Sequence, residues 1–239
     1  MIGTLFLIAT PIGNLEDLTH RAARVLGELD ALACEDTRIT RRIYERYGIP
    51  SPRTIFSYHE HNEQMGGKRI LGLLAEGLSV GLCTDGGYPA LSDPGYRIIT
   101  AALEAGHTLD VLPGASSIPV ALLLSGLPTS SYTFKGFPPR KPGPRRRFLE
   151  MDAALPHTLV FFESPYRVKD FLSSALDTYG NRKTAICSEL TKKYQRIERG
   201  TLSELVAAYD TKAAKGEITI VVAGKSDKVA RPQGENGLP

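Results

Sequence analysis

Three short segments carry the residue types that grip a small polar molecule. TPIGN (Thr10 to Asn14), TDGGYPALSDPG (Thr84 to Gly95) and PGASS (Pro113 to Ser117) each follow an apolar, strand-like run. Glycine lets backbone N–H and C=O groups approach a ligand with no Cβ in the way, and proline stiffens the turn that presents them. Pro11 and Gly13 make such a turn in the first loop. In the second, Asp85 offers an acceptor for a ribose hydroxyl or an amine, and Gly86-Gly87 admits close backbone contact. The third supplies two hydroxyls and unpaired N–H groups at the start of a helix. Ser92 and Asp93 read as the cap and first turn of another helix. The first loop is not GxGxxG, which argues against an ordinary dinucleotide or class I methyltransferase fingerprint.

Charged residues at strand ends are the second chemical resource. Glu163 and Glu189 close strand-like runs in the second half, and Lys192 follows Glu189 by three positions, so a helical turn over 189–192 sets the two on one face. Glu35-Asp36-Thr37-Arg38 lies at another strand end, with Asp36 as a helix N-cap for its plainer reading. A carboxylate or neutral amine within hydrogen-bond reach of a hydroxyl can take or share its proton. The run KGFPPRKPGPRRR, residues 135–147, holds six cations (Lys135, Arg140, Lys141, Arg145, Arg146 and Arg147) and no acid, flanked by Phe137 and Phe148. It is either a polyanion-binding segment or a solvated basic linker.

Period-2 and period-3.6 apolar patterning indicates the elements that position these groups. Strands are expected at 5–9, 31–34, 53–58, 78–83 and 108–112, separated by helical stripes at 18–29, 39–47, 62–76 and 93–105. That alternation predicts parallel βαβ units, whose strand-end loops share one sheet edge, where ligands of such sheets bind. A helix at 116–125 and a strand at 132–137 precede Pro138 to Pro144, with four prolines and one glycine, read as a hinge or boundary. Beyond it, strands at 158–162, 183–188, 193–199 and 218–222 and helices near 168–176 and 202–209 indicate a second α/β domain. The expected division is an N-terminal α/β domain over 1–114, a C-terminal one over 115–224 containing the basic 135–147 segment, and a disordered tail over 225–239.

The 239 residues are 42% hydrophobic and 23% charged, as expected for a globular chain with room for two cores. No apolar run approaches the ~20 residues of a membrane span, and the N-terminus lacks the basic start of a signal peptide, so a cytoplasmic protein without a membrane partner is expected. Cys34, Cys83 and Cys187 are widely spaced and strand-borne, so they read as core thiols, with no metal site. The net charge of +3 is too small to indicate a nucleic-acid binder by itself.

ATPIGNLEDLT (9–19), EDTR (35–38), TDGGYPALSDPGY (84–96), PGASSIPVALLLSGLP (113–128), FFESPYR (161–167), ELTK (189–192) and GEITIVV (216–222) occur in this order. Over residues 2–224 the chain resembles the tetrapyrrole methylase superfamily, and more closely its ribosomal RNA branch, which 2′-O-methylates a cytidine in the decoding centre of 16S rRNA. The resemblance implies a class III methyltransferase of two α/β domains with S-adenosyl-L-methionine in the cleft between them, usually a homodimer acting on 16S rRNA or the small ribosomal subunit. Carried over by position, the cofactor contacts are Ile12, Gly13, Asp85, Gly86, Gly87, Tyr88, Ser117 and Ile118, joined by Phe162, Glu217 and Ile218. For deprotonating the ribose hydroxyl, Glu189 and Lys192 rank first, then Glu163, then Asp36. RNA contacts are assigned to Arg38, Arg140, Lys141, Arg145, Arg146, Arg147 and Arg167. Relatives commonly read DAGTP where this chain has Tyr88, which puts a hydroxyl contact there in doubt, and many continue into a further small helical region. Two alternatives stay open: a methyltransferase for a small porphyrinoid, and a non-catalytic S-adenosylmethionine-binding protein associated with RNA.

Overall fold

A computed structural model describes residues 1–225; of the tail expected over 225–239, residues 226–239 lie outside the described residues. Lys225, the first residue assigned to that tail, is tied by its N–H to the Leu155 carbonyl at 2.8 Å. The chain packs as two units, residues 1–120 with 190–194, and residues 121–189 with those from 195 onward. This division falls after Val120 rather than at 114, inside a single helix, and returns a five-residue strap to the first unit.

Unit 1 is a parallel sheet built from β1 (Thr4–Ile8), β2 (Ala31–Cys34), β3 (Thr54–Ser57), β4 (Ser79–Cys83) and β5 (Thr108–Leu112), in the order β3-β2-β4-β1-β5. Helices α1 (His20–Glu28), α2 (Thr37–Tyr47), α3 (Glu63–Ala75) and α4 (Tyr96–Glu104) make the crossovers. The sheet is covered on both faces because side chains alternate. Leu5, Leu7, Ala33 and Leu82 pack with Ile70 and Leu74 of α3 and with Ile98 of α4. Ile8, Leu32 and Cys83 pack with Ala22 and Leu26 of α1 and Ile43 of α2. Each fully buried Leu or Ile contributes about 1.5–3 kcal/mol. Side-chain caps fix where two helices begin: Thr19 accepts the Ala22 N–H and Asp36 the Arg38 N–H. The carboxyl ends of all five strands therefore share one edge.

Unit 2 is a mixed sheet of β6 (Tyr132–Phe134), β7 (Thr158–Glu163), β8 (Lys183–Ser188), β9 (Arg196–Thr201) and β10 (Ile218–Val222), in the order β6-β7-β10-β8-β9. Only β6 and β7 pair in parallel. Helix α5 (Ser117–Ser125) runs across the division, and α6 (Pro142–Glu150), α7 (Val168–Tyr179) and α8 (Leu202–Thr211) belong to unit 2. Leu149 of α6, Phe171 and Leu172 of α7, and Leu205 of α8 share a core with Leu159, Phe161, Ile186 and Ile220.

The Pro138 to Pro144 segment is only in part a linker, because α6 starts at Pro142 and carries Arg145, Arg146 and Arg147. Proline is tolerated in a first helical turn, where its missing N–H would find no partner in any case. Only Arg145 and Leu149 of α6 are buried, so the helix left almost no apolar stripe to read. The three cysteines are free and buried, and burial pushes all three thiols up, that of Cys187 to about 11. No helix among the described residues is long and apolar enough to cross a membrane.

Candidate active site

The three glycine-containing loops are tied to one another at the carboxyl edge of the unit 1 sheet. Thr10 and Gly87 exchange both backbone hydrogen bonds, each at 2.9 Å, which locks the first loop to the second. Gly87 takes φ +86°, a conformation that a side chain would strain. The Thr10 hydroxyl donates to the Thr84 carbonyl at 2.9 Å. The Tyr88 hydroxyl accepts the Gly114 N–H at 3.0 Å, joining the second loop to the third. The tyrosine that departs from DAGTP thus spends its oxygen on a contact within the fold. Ser117 opens α5, and Ile118 is buried beside it.

The strap returns to the first loop. Thr191 accepts the Asn14 N–H at 3.1 Å, and a Cβ built on Gly13 would stand 2.4 Å from Lys192 Cγ. Lys192 therefore lies against the Ile12-Gly13 turn. Residues 189–192 are not helical, contrary to the expectation; Glu189 and Thr191 take φ of +51° and +64° in a turn. Glu189 falls in unit 2, where its Oε1 accepts the Glu217 N–H at 2.9 Å and its own N–H donates to the Glu217 carbonyl. A Cβ on Gly216 would reach within 2.1 Å of that oxygen, so only glycine admits the carboxylate there. Glu189 thus holds the start of β10, where Glu217 is exposed and Ile218 is buried.

A carboxylate clasp braces Asp85. The Asp36 N–H donates to Asp85 Oδ1 at 3.1 Å, and the Asp85 N–H donates to Glu35 Oε2 at 3.3 Å. Asp93 stands close enough to this pair that burial, then the charges of Glu35 and Asp85, raise its pKa to about 6. Asp93 does not cap α4, whose N-cap is Gly95 with no side-chain hydrogen bond. Glu35 and Asp93 were not among the sequence-predicted site residues; the EDTR and LSDPG signals were present but matched ordinary helix starts. Asp36 caps α2 and pairs with Arg38 at 2.6 Å, and those bonds hold its carboxyl at about 2. Its lone pairs are committed to that pair and to the cap.

Glu163 and Arg145 are both engaged within the fold of unit 2. The Glu163 side chain is fully buried; it accepts the Ser164 N–H at 2.7 Å and pairs with Arg167 at 2.6 Å. Burial pushes its carboxyl up despite those partners. Arg167, also bonded to the Pro138 carbonyl at 3.3 Å, is half-buried. Arg145, expected at an RNA surface, is 4% exposed, donates to Ser174 Oγ and the Arg140 carbonyl, and faces Asp170 at 3.9 Å. Arg140, Lys141 and Arg147 remain exposed, and Arg146 pairs with Glu150 along α6. Phe162 packs edge-on to Phe134 and near Phe137, with ring centroids 4.8 and 5.5 Å apart, and Phe137 is half exposed.

Comparison with known proteins agrees with this architecture. The family profile described as Tetrapyrrole (Corrin/Porphyrin) Methylases matches residues 4–206. A protein of Halalkalibacterium halodurans called ribosomal RNA small subunit methyltransferase I is 46% identical over 95% of this chain and 78% of its own length. This chain belongs to the tetrapyrrole methylase family, in its ribosomal RNA small subunit methyltransferase I branch. A second member of that branch, from Mesorhizobium japonicum, is 44% identical over 95% of this chain and 78% of its own. Among solved tetrapyrrole methylase folds, the methyltransferase CobJ superposes with a TM-score of 0.71 at 16% identity, over 97% of this chain and 98% of its own. Uroporphyrin-III C-methyltransferase from Thermus thermophilus, complexed with S-adenosyl homocysteine, gives 0.64 at 19% identity, over 92% of this chain and 97% of its own.

Proposed function

We propose that this family member transfers the methyl group of S-adenosylmethionine to the ribose 2′-hydroxyl of a cytidine in the decoding centre of 16S rRNA. The observation that carries the reading is the set of three interlocked loops with Asp85 at its centre, in a chain 46% identical to a named rRNA methyltransferase. The donor set fits such a cofactor. Glu35, Asp85 and Asp93 gather negative charge beside the exposed Gly86, which suits a ligand bearing a sulfonium and an ammonium. When bound, S-adenosylmethionine supplies the activated methyl group.

The protein's own contribution is alignment and proton handling. Ile12, Gly13 and Gly86 present backbone groups, while Gly87, whose own N–H and C=O are both bonded to Thr10, and the Tyr88–Gly114 bond keep the loops from opening, so orientation is set before the substrate arrives. A neutral ribose hydroxyl is a weak nucleophile, and we assign its deprotonation to Lys192, which lies against the first loop. Glu189, Glu163 and Asp36 act through structure: they hold Glu217, the β7 end and α2 respectively. The exposed cations Arg140, Lys141 and Arg147 and the half-exposed Phe137 of the same segment suit a phosphate backbone and an unstacked base. A homodimer belongs to the same reading.

The test offers the chain and S-adenosylmethionine to unmodified small subunits, naked 16S rRNA and a porphyrinoid. Transfer to either RNA and none to the porphyrinoid supports the assignment. Transfer to the porphyrinoid alone, or cofactor binding with no transfer at all, overturns it. Within an active preparation, Lys192→Ala should lower kcat by about 10²–10⁴-fold with little change in cofactor affinity.

A further inference from the structure

At the opposite edge of the unit 2 sheet from Glu163 and Glu189, an open cavity of about 860 Å³ lies where β7 and β8 begin and β10 ends. Its walls include Tyr179, Asn181, Arg182, Lys183 and Lys225, and among the described residues no acid lines it; Asp152, whose charge acts on the Tyr179 hydroxyl, is paired with Lys135. Arg182 is half-buried and bound entirely by carbonyls: Nε donates to Tyr179 at 3.0 Å, Nη1 to Ala223 at 3.3 Å and Nη2 to Ala153 at 2.5 Å. A guanidinium has five N–H groups, so one on each terminal nitrogen is left over. Among the described residues no carboxylate pairs with it or with Lys183 or Lys225. The carbonyl at the α7 C-terminus offsets part of one positive charge, and the two lysines stand in excess of it. Tyr179, with its ring centroid 4.9 Å from the guanidinium carbon, is 7% exposed, and its hydroxyl is buried without a hydrogen-bond partner. Burial without an anionic partner also pulls the Arg182 pKa down.

A half-buried cation satisfied only by neutral dipoles, two further cations, an unmatched hydroxyl and no acid among the described lining residues select an oxyanion. Phosphate is the oxyanion that a planar N–H pair and flanking ammonium groups recognise well. The cavity is several times larger than one phosphate and falls in the size range of sites for small organic ligands, which leaves room for a sugar and base. We propose that this cavity binds the phosphate of a ribonucleotide, held by Arg182, Lys183 and Lys225, at a site separate from the methyl-transfer loops. The phosphate is either that of a free nucleotide or one residue of an RNA chain. The proposal does not depend on the methyltransferase reading.

Arg182 ties three carbonyls and is left intact in the test. The full chain is titrated with inorganic phosphate, CMP and a short oligoribonucleotide, by calorimetry and by amide shifts, alongside Lys183→Gln and Tyr179→Phe. Saturable binding of CMP, with shifts confined to residues around 126–128, 153–154, 178–183 and 223–225 and weakened at least about fivefold by Lys183→Gln, is the expected result. An oligoribonucleotide that displaces CMP from the same residues assigns the site to RNA; CMP binding that the oligoribonucleotide leaves untouched assigns it to a free nucleotide. The absence of saturable binding by all three probes up to about 20 mM overturns the proposal, as does binding that both variants leave unchanged.

Discussion

Glu163 and Arg167 form a buried ion pair in which each charge depends on the other. Arg167→Ala strands a carboxylate whose side chain has no exposed surface, and the expected loss is about 3–5 kcal/mol in denaturant unfolding. Adding Glu163→Gln removes the orphaned charge, so the double variant should recover a large part of that loss; equal stability of the single and double variants would refute the coupling. Asp93 poses the opposite case. Its folded pKa is raised to about 6 from an ordinary 3.8, so the folded state favours the protonated form, and stability is lost as pH rises through that window. Asp93→Asn should therefore be more stable than the parent at pH 8, by about 1 kcal/mol because the group is part-exposed and screened, with the gap closing below pH 4. The same titration should strengthen binding of a cationic cofactor as pH rises through 6, a dependence that Asp93→Asn abolishes.

At the scale of elements, the strap and the loop turns control the site. A methyl group added at Gly13 meets Lys192 Cγ at 2.4 Å, Thr191 Oγ1 at 2.8 Å and the Leu190 carbonyl at 3.0 Å, so Gly13→Ala must displace the strap. The expected result is cofactor affinity lower by about tenfold or more with the Tm of the chain little changed, since the strap is peripheral to the core. Undiminished binding would show that the strap does not shape the loop. Periodicity made most elements legible: the parallel unit followed from strands alternating with helices, and the Ala31–Cys34, Thr108–Leu112 and Ile218–Val222 bounds match the sequence reading. Two features were hidden for physical reasons. Helix α6 buries only Arg145 and Leu149, leaving no stripe, and its prolines read as linker. The turn at 189–192 is built on positive-φ residues that are not glycine, which no spacing rule announces.

At the scale of the molecule, sequence located the three loops but not what joins them. The Thr10–Gly87 bridge, the Tyr88–Gly114 bond and the Glu35–Asp85 clasp link residues between 26 and 77 positions apart, and such pairings follow from sheet order rather than local pattern. Surface charge was legible as a cluster, yet burial divides it: Arg145 is part of the core, while Arg140, Lys141 and Arg147 face solvent. Charge reversal at Lys141 and Arg147 together should weaken rRNA binding and reduce its salt slope by about two, with cofactor affinity unchanged. An unchanged slope would remove these residues from the RNA surface. The most direct measurement of the central claim is transfer of labelled methyl from S-adenosylmethionine to unmodified small subunits and 16S rRNA, with the product nucleoside identified after digestion. Label recovered as 2′-O-methylcytidine is the predicted result; label on a base, or no label while the cofactor still binds, contradicts it.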